Sequence, residues 1–126
     1  MIQVVAAMIR DDGRFLICRR PAGKSNALLW EFPGGKVENG ETNEDALARE
    51  IREELGCEVA VEERLAETTH TYPNVQIHLS FFAARLISGT PECLEHAGMA
   101  WISEHELPNY VFCPADQKLI RAVFGR

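Results

Sequence analysis

Three glutamates, Glu50, Glu53 and Glu54, stand at i, i+3 and i+4 inside a run from Glu44 to Leu55 that holds no glycine or proline. Alanine, leucine, arginine and glutamate dominate that run, and all favour helix. On a helix this spacing sets the three carboxylates on one ridge. Leu47, Ile51 and Leu55 fall on a neighbouring stripe, with Ala48 at its margin, and that stripe is the face a helix buries. Like charges one turn apart repel, and more so beside a core. A divalent cation removes the penalty, because Mg²⁺ and Mn²⁺ take hard oxygen ligands: a few carboxylates, phosphate oxygens and water. Arg49, one turn before Glu53, is placed to hold that carboxylate in position. Arg52 and Asp45 point away from the ridge.

The elements around the ridge are marked locally. Thr42 can cap the helix, and Asp45 three residues later completes a capping-box pattern. Gly56 suits the left-handed turn that ends a helix. Before the helix, Trp30-Glu31-Phe32 leads into Pro33-Gly34-Gly35-Lys36. The two glycines let the backbone pass close to a ligand, and a backbone carbonyl near Gly35 can then join a metal's ligands.

Written as a pattern, Gly35 to Gly56 reads G-x5-E-x7-R-E-I-x-E-E-x-G, with Glu41 the isolated acid. It resembles the Nudix box, the signature of enzymes that hydrolyse a nucleoside diphosphate linked to another group. Residues 35–57 meet every polar position. Cys57 alone departs, standing where the family usually has an aliphatic residue. The likeness runs over nearly the whole chain and is similar to the MutT-type branch. It implies an α/β protein with the Nudix fold, an α/β/α sandwich around a mixed central sheet, in one domain spanning 1–126.

The resemblance also implies roles. Gly35, Glu50, Glu53 and Glu54 would hold Mg²⁺, with Mn²⁺ as a substitute. Glu53 or Glu50 would take a proton from water, with Glu95 as rival and Arg49 in support. Arg20, Arg19 and Lys36 would meet phosphates, Arg20 being the better placed of the two arginines. Asp116, Phe32 and Trp30 would meet the nucleobase. Asp116 stands in Pro114-Ala115-Asp116, which departs from the asparagine of the 8-oxo-dGTP enzymes. It resembles the Pro-Ala-Asp of CTP and modified-pyrimidine pyrophosphohydrolases. An ionised aspartate only accepts hydrogen bonds and suits an exocyclic amine; a protonated one also donates.

The expected activity is hydrolysis of nucleoside triphosphates, such as 8-oxo-dGTP or CTP and modified dCTP, to a monophosphate and pyrophosphate. The expected setting is nucleotide-pool sanitation in the cytoplasm, by a monomer or homodimer. One alternative is an ADP-ribose or dinucleoside-polyphosphate hydrolase, a question on which Tyr72 and Pro73 bear without deciding it. Another is a non-catalytic nucleotide-binding module, against which the full set of box glutamates argues.

Composition narrows the rest. A net charge of −6 disfavours a nucleic-acid polymer as partner. Cys18, Cys57, Cys93 and Cys113 are scattered without C-x-x-C spacing and read as reduced, mostly buried thiols. His70, His78, His96 and His105 lack metal-ligand spacing. The opening run Ile2–Ile9 is too short to span a membrane and is expected to be a strand. Arg14–Arg19 forms a hairpin with it across Asp11-Asp12-Gly13. Further strands are expected at Ala27–Phe32, 58–69, 75–86 and 98–102. A short helical turn follows Ser103, and a terminal helix runs from Pro114 to about Phe124.

Overall fold

The computed structural model describes all of residues 1–126. In chain order the elements are β1 (Ile2–Asp11), β2 (Arg14–Arg19), β3 (Trp30–Glu31), β4 (Gly34–Lys36) and α1 (Asn43–Leu55). They continue with β5 (Glu58–Tyr72), β6 (Val75–Ser88), β7 (Gly98–Ile102), a 3-10 turn (Glu104–Asn109) and α2 (Pro114–Phe124). The order across the sheet is β3-β2-β1-β6-β5, with β4 added beside β1 and β7 beside β2. β1 runs parallel to β6 from Ile2↔Ile77 to Arg10↔Arg85 and antiparallel to its other partners, so the sheet is mixed.

β1 explains the layering. Val5 through Ile9 are all buried, as expected of a strand covered on both faces. Alternation sends Val5, Ala7 and Ile9 to one side, where they meet Leu47, Ile51 and Leu55 of α1. Ala6 and Met8 go to the other, with Phe81 and with Leu119 and Ile120 of α2. Leu47, Ile51 and Leu55 are fully buried, each contributing about 2 kcal/mol of apolar burial. The α/β/α sandwich is thus present, one core on each face of the sheet. No helix is long and apolar enough to cross a membrane.

The local signals mostly hold. Asp12 and Gly13 take positive φ in the first hairpin turn. Thr42 accepts from the Asp45 amide at 3.1 Å, and Gly56 is left-handed at φ 66°. The return bond of the expected capping box is not made, since Asp45 projects into solvent. The expected strand at Ala27–Phe32 shrinks to Trp30–Glu31. Asn26 and Leu28 take positive φ, and bonds from Leu28 N to Arg20 O and from Leu29 N to Asn26 O close the preceding residues into a turn.

Candidate active site

β4 and α1 bring the carboxylate ridge to the sheet. Neither Gly34 nor Gly35 has positive φ; close approach is what requires them. A Cβ on Gly34 would strike the Val5 carbonyl, across the β4–β1 pairing. A Cβ on Gly35 would strike the Glu50 carboxyl group. The approaching group is therefore a glutamate of the protein itself.

Arg49 ties this end together. Its guanidinium bonds Glu41 at 2.7 and 3.0 Å, Glu50 at 2.9 Å and both Glu53 oxygens at 3.2 Å. It also donates to the Lys36 carbonyl at 3.0 Å. The spacing of Glu41 from Arg49 now has a cause: the pair fastens the loop before α1 to the helix. Arg49 holds the Glu41 carboxyl below its usual range, and Glu41 in turn drives the guanidinium further up.

Beside this hub opens a cleft of about 860 Å³, walled by Gly35, Lys36, Glu50, Glu54 and Glu95 at one end. Burial raises the Glu50 carboxyl, with Arg49 opposing. Glu54 is pushed up to about 9 by burial first, then by the charges of Glu50, Glu31 and Glu95. Its Oε1 is buried without a hydrogen-bond partner. Burial favours a proton on Glu54 in the metal-free chain; a hard divalent cation would displace it and satisfy the unpartnered oxygen, so the donor set fits Mg²⁺ or Mn²⁺. Of the three ridge glutamates, Glu53 alone lies outside the cleft wall, 54% exposed and gripped by Arg49.

The other end of the cleft is built from β3 and the start of α2. Arg20 pairs with Glu31 at 3.1 Å and donates to the Ser25 carbonyl. The second Glu31 oxygen faces His96 Nε2 at 3.0 Å. Phe32 is buried against Phe81, and its amide donates to Asp116 Oδ1 at 3.0 Å. Asp116, 6% exposed, is pushed up to about 8 by burial, then by Glu31. Burial therefore favours its protonated form, and with Oδ1 engaged as an acceptor a proton on the other oxygen would make that oxygen a donor. Tyr72 steadies this corner by accepting from the Ala115 amide at 3.2 Å.

Ligand-type atoms of Glu31, Cys113 and Asp116 lie within 4.8 Å of one another. Both Glu31 oxygens are already paired, Asp116 Oδ1 accepts from the Phe32 amide, and burial raises the Cys113 thiol to about 12. This group is a hydrogen-bonding surface rather than a cation cage.

Two residues expected at the site lie elsewhere. Trp30 packs edge-on against Tyr110 and bridges to Phe112, away from the cleft wall. Arg19 stacks over Trp30 and donates to the Leu28 carbonyl, also outside it. Strand alternation accounts for both: β2 and β3 turn Arg19 and Trp30 to the face opposite Arg20 and Glu31. The same alternation was the available signal for Glu31, an acid between two aromatics that the sequence reading passed over. His96 offered no such signal.

The NUDIX domain family model matches residues 4–122. The chain is 43% identical to the CTP pyrophosphohydrolase of Escherichia coli, over 97% of this chain and 90% of that one. It is 37% identical to the 8-oxo-dGTP diphosphatase of Haemophilus influenzae, over 99% and 93%. The crystal structure of a MutT NUDIX hydrolase from Burkholderia pseudomallei superposes with a TM-score of 0.83 at 31% identity, covering 97% of each chain.

Proposed function

The chain belongs to the Nudix family of hydrolases, and from that premise we propose that it is a MutT-like nucleoside triphosphate pyrophosphohydrolase with cytosine nucleotides as its preferred substrates. Nudix hydrolases generally use divalent metals. Glu50 and Glu54, with Glu53 beside them and a backbone carbonyl near Gly35, would hold Mg²⁺ here. Bound there, the cation neutralises phosphate charge and lowers the pKa of a water.

The chain's own groups supply the rest. Lys36, on the cleft wall at the α1 end, orients the phosphates, while Arg20, engaged by Glu31 and Ser25, holds Glu31 in place. Arg49 fixes Glu50 and Glu53 so that the ridge does not reorganise during the reaction. Glu95 lines the cleft and carries no ion pair, which suits it to take the proton of the attacking water, with Glu53 as rival. Attack on phosphorus then releases pyrophosphate and the nucleoside monophosphate, with no covalent intermediate.

The observation that carries the cytosine reading is the juxtaposition of an Arg20-paired Glu31 carboxylate with a buried Asp116, whose protonated form burial favours. Cytosine presents an amino donor beside a ring-nitrogen acceptor. The amine meets Glu31 and the ring nitrogen meets the Asp116 hydroxyl. A guanine-type edge offers the same pair in reverse order, a carbonyl beside an N–H, and would have to enter in a different orientation. The 43% identical CTP pyrophosphohydrolase supports the same reading. Pyrophosphate release with Mg²⁺ from CTP, 5-methyl-dCTP, dGTP and 8-oxo-dGTP, with AMP release from ADP-ribose, tests it. Cytosine nucleotides are expected to be cleaved fastest; a clear preference for 8-oxo-dGTP or ADP-ribose refutes the assignment.

A further inference from the structure

His96 and Glu31 lie 65 residues apart in the chain and 3.0 Å apart in space, Nε2 to Oε2. The imidazole is 4% exposed, and its Nδ1 is buried without a partner. That is an unfavourable way to fill interior space, since an apolar side chain of similar size would leave nothing unsatisfied. The Nε2 bond to Glu31 is what distinguishes histidine at this position.

The segment around His96 shows what that bond does. Residues 89–97 connect β6 to β7 and carry Glu95 to the cleft. Three backbone bonds fasten the segment: Glu92 N to Leu55 O at 2.9 Å, Leu94 N to Glu54 O at 3.2 Å and Ala97 N to Arg19 O at 2.8 Å. The backbone of Glu95 and of His96 makes none. Between Leu94 and Ala97 the His96 side chain makes the hydrogen bond that holds the chain, and the partner it grips, Glu31, is itself held by Arg20 at 3.1 Å.

We propose that His96 is a positioning residue: by donating from Nε2 to Glu31 it fixes the backbone at Glu95 and holds that carboxylate opposite Glu50 and Glu54. The same bond joins the two ends of the cleft, so an altered Glu31 is felt at Glu95. The inference rests on the role given to Glu95 under the proposed function, but its structural half can be read without turnover.

His96→Leu fills the space and cannot donate; His96→Gln can reach Glu31 with its amide nitrogen. Two quantities are measured for each: kcat and KM for CTP with Mg²⁺, and hydrogen exchange at the amides of residues 94–97. H96L is expected to lower kcat by about tenfold to a hundredfold, as small misplacements of a reacting group do, with a smaller change in KM. Its 94–97 amides should exchange faster while those of α2 do not, and H96Q should recover most of both. Adding Glu95→Gln to H96L should cost far less than adding it to the wild type. Wild-type kcat and exchange in H96L, or equal impairment of H96Q and H96L, overturns the proposal. If H96L fails to fold, Glu31→Ala must loosen the same amides, and unchanged exchange there overturns it. A wild type that cleaves no triphosphate would defeat the proposed function and leave the exchange result to judge the positioning role.

Discussion

At the α1 end of the cleft, Glu41, Glu50 and Glu53 crowd one guanidinium, and the neighbouring Glu54 keeps an oxygen without a partner. At the α2 end, Glu31 has a partner for each oxygen, and Asp116 is buried with a backbone amide on Oδ1. Both ends gather acids in partly buried space, and they resolve the repulsion in opposite ways. One keeps an unpartnered oxygen, as a place for a cation would. The other is satisfied internally and presents a fixed donor and acceptor. On the proposed reading, the unpartnered oxygen belongs to the end for chemistry and the satisfied pair to the end for recognition.

The sharpest way to break that contrast is Glu54→Gln. It should cut kcat by about 10²–10³-fold, roughly 3–4 kcal/mol, for every triphosphate alike. The metal-free protein should meanwhile melt no lower, because no ion pair is lost and a buried acid is relieved. Loss of fold, rather than loss of turnover, would make Glu54 structural. Arg49→Ala comes next. It strips the partner from Glu41, Glu50 and Glu53 together and should lower kcat by about 10–100-fold. It should also cost about 2 kcal/mol of stability, measurable by denaturant unfolding.

How much of this was legible beforehand follows the range of the contacts. The bounds of α2 and the cap and stop of α1 are written in neighbouring residues: Pro114 at a first turn, Thr42 three before Asp45, Gly56 after Leu55. The carboxylate ridge is equally local, being one face of one helix. The α2 end is assembled across the chain. Phe32 meets Asp116 over 84 positions and Glu31 meets His96 over 65, and no periodicity encodes such a meeting. Trp30 and Arg19 lie outside the cleft wall for a related reason: adjacency to a site in sequence says nothing about which face of a strand a residue takes. The role of Glu41 as a clamp on Arg49, rather than a mere spacing mark, also needed the fold.

pH separates the two ends more gently. Asp116 and Glu54 bind protons more tightly in the folded chain than in the unfolded one. Between the ordinary carboxylate range and about 8 for Asp116, or about 9 for Glu54, the folded state holds more protons, so stability falls as pH rises. Without metal, the melting temperature should drop steadily from pH 5 to pH 9. Mg²⁺ should offset the part due to Glu54 and leave the part due to Asp116, which Asp116→Asn should flatten. A melting temperature that climbs over that range would contradict both assignments. The smallest effect belongs to Arg19→Ala, which should change kcat/KM by less than about twofold, the residue being outside the cleft. A larger loss would mean that its guanidinium swings to the phosphates.

The division of labour itself is tested most directly by kcat/KM for CTP and for 8-oxo-dGTP in the wild type, Glu54→Gln and Asp116→Ala. Glu54→Gln should lower both values together and leave their ratio within about twofold. Asp116→Ala should collapse the preference for CTP by about tenfold or more while retaining Mg²⁺-dependent turnover, as expected when a paired hydrogen bond to substrate is removed. A ratio that survives Asp116→Ala, or one that shifts with Glu54→Gln, would contradict the account.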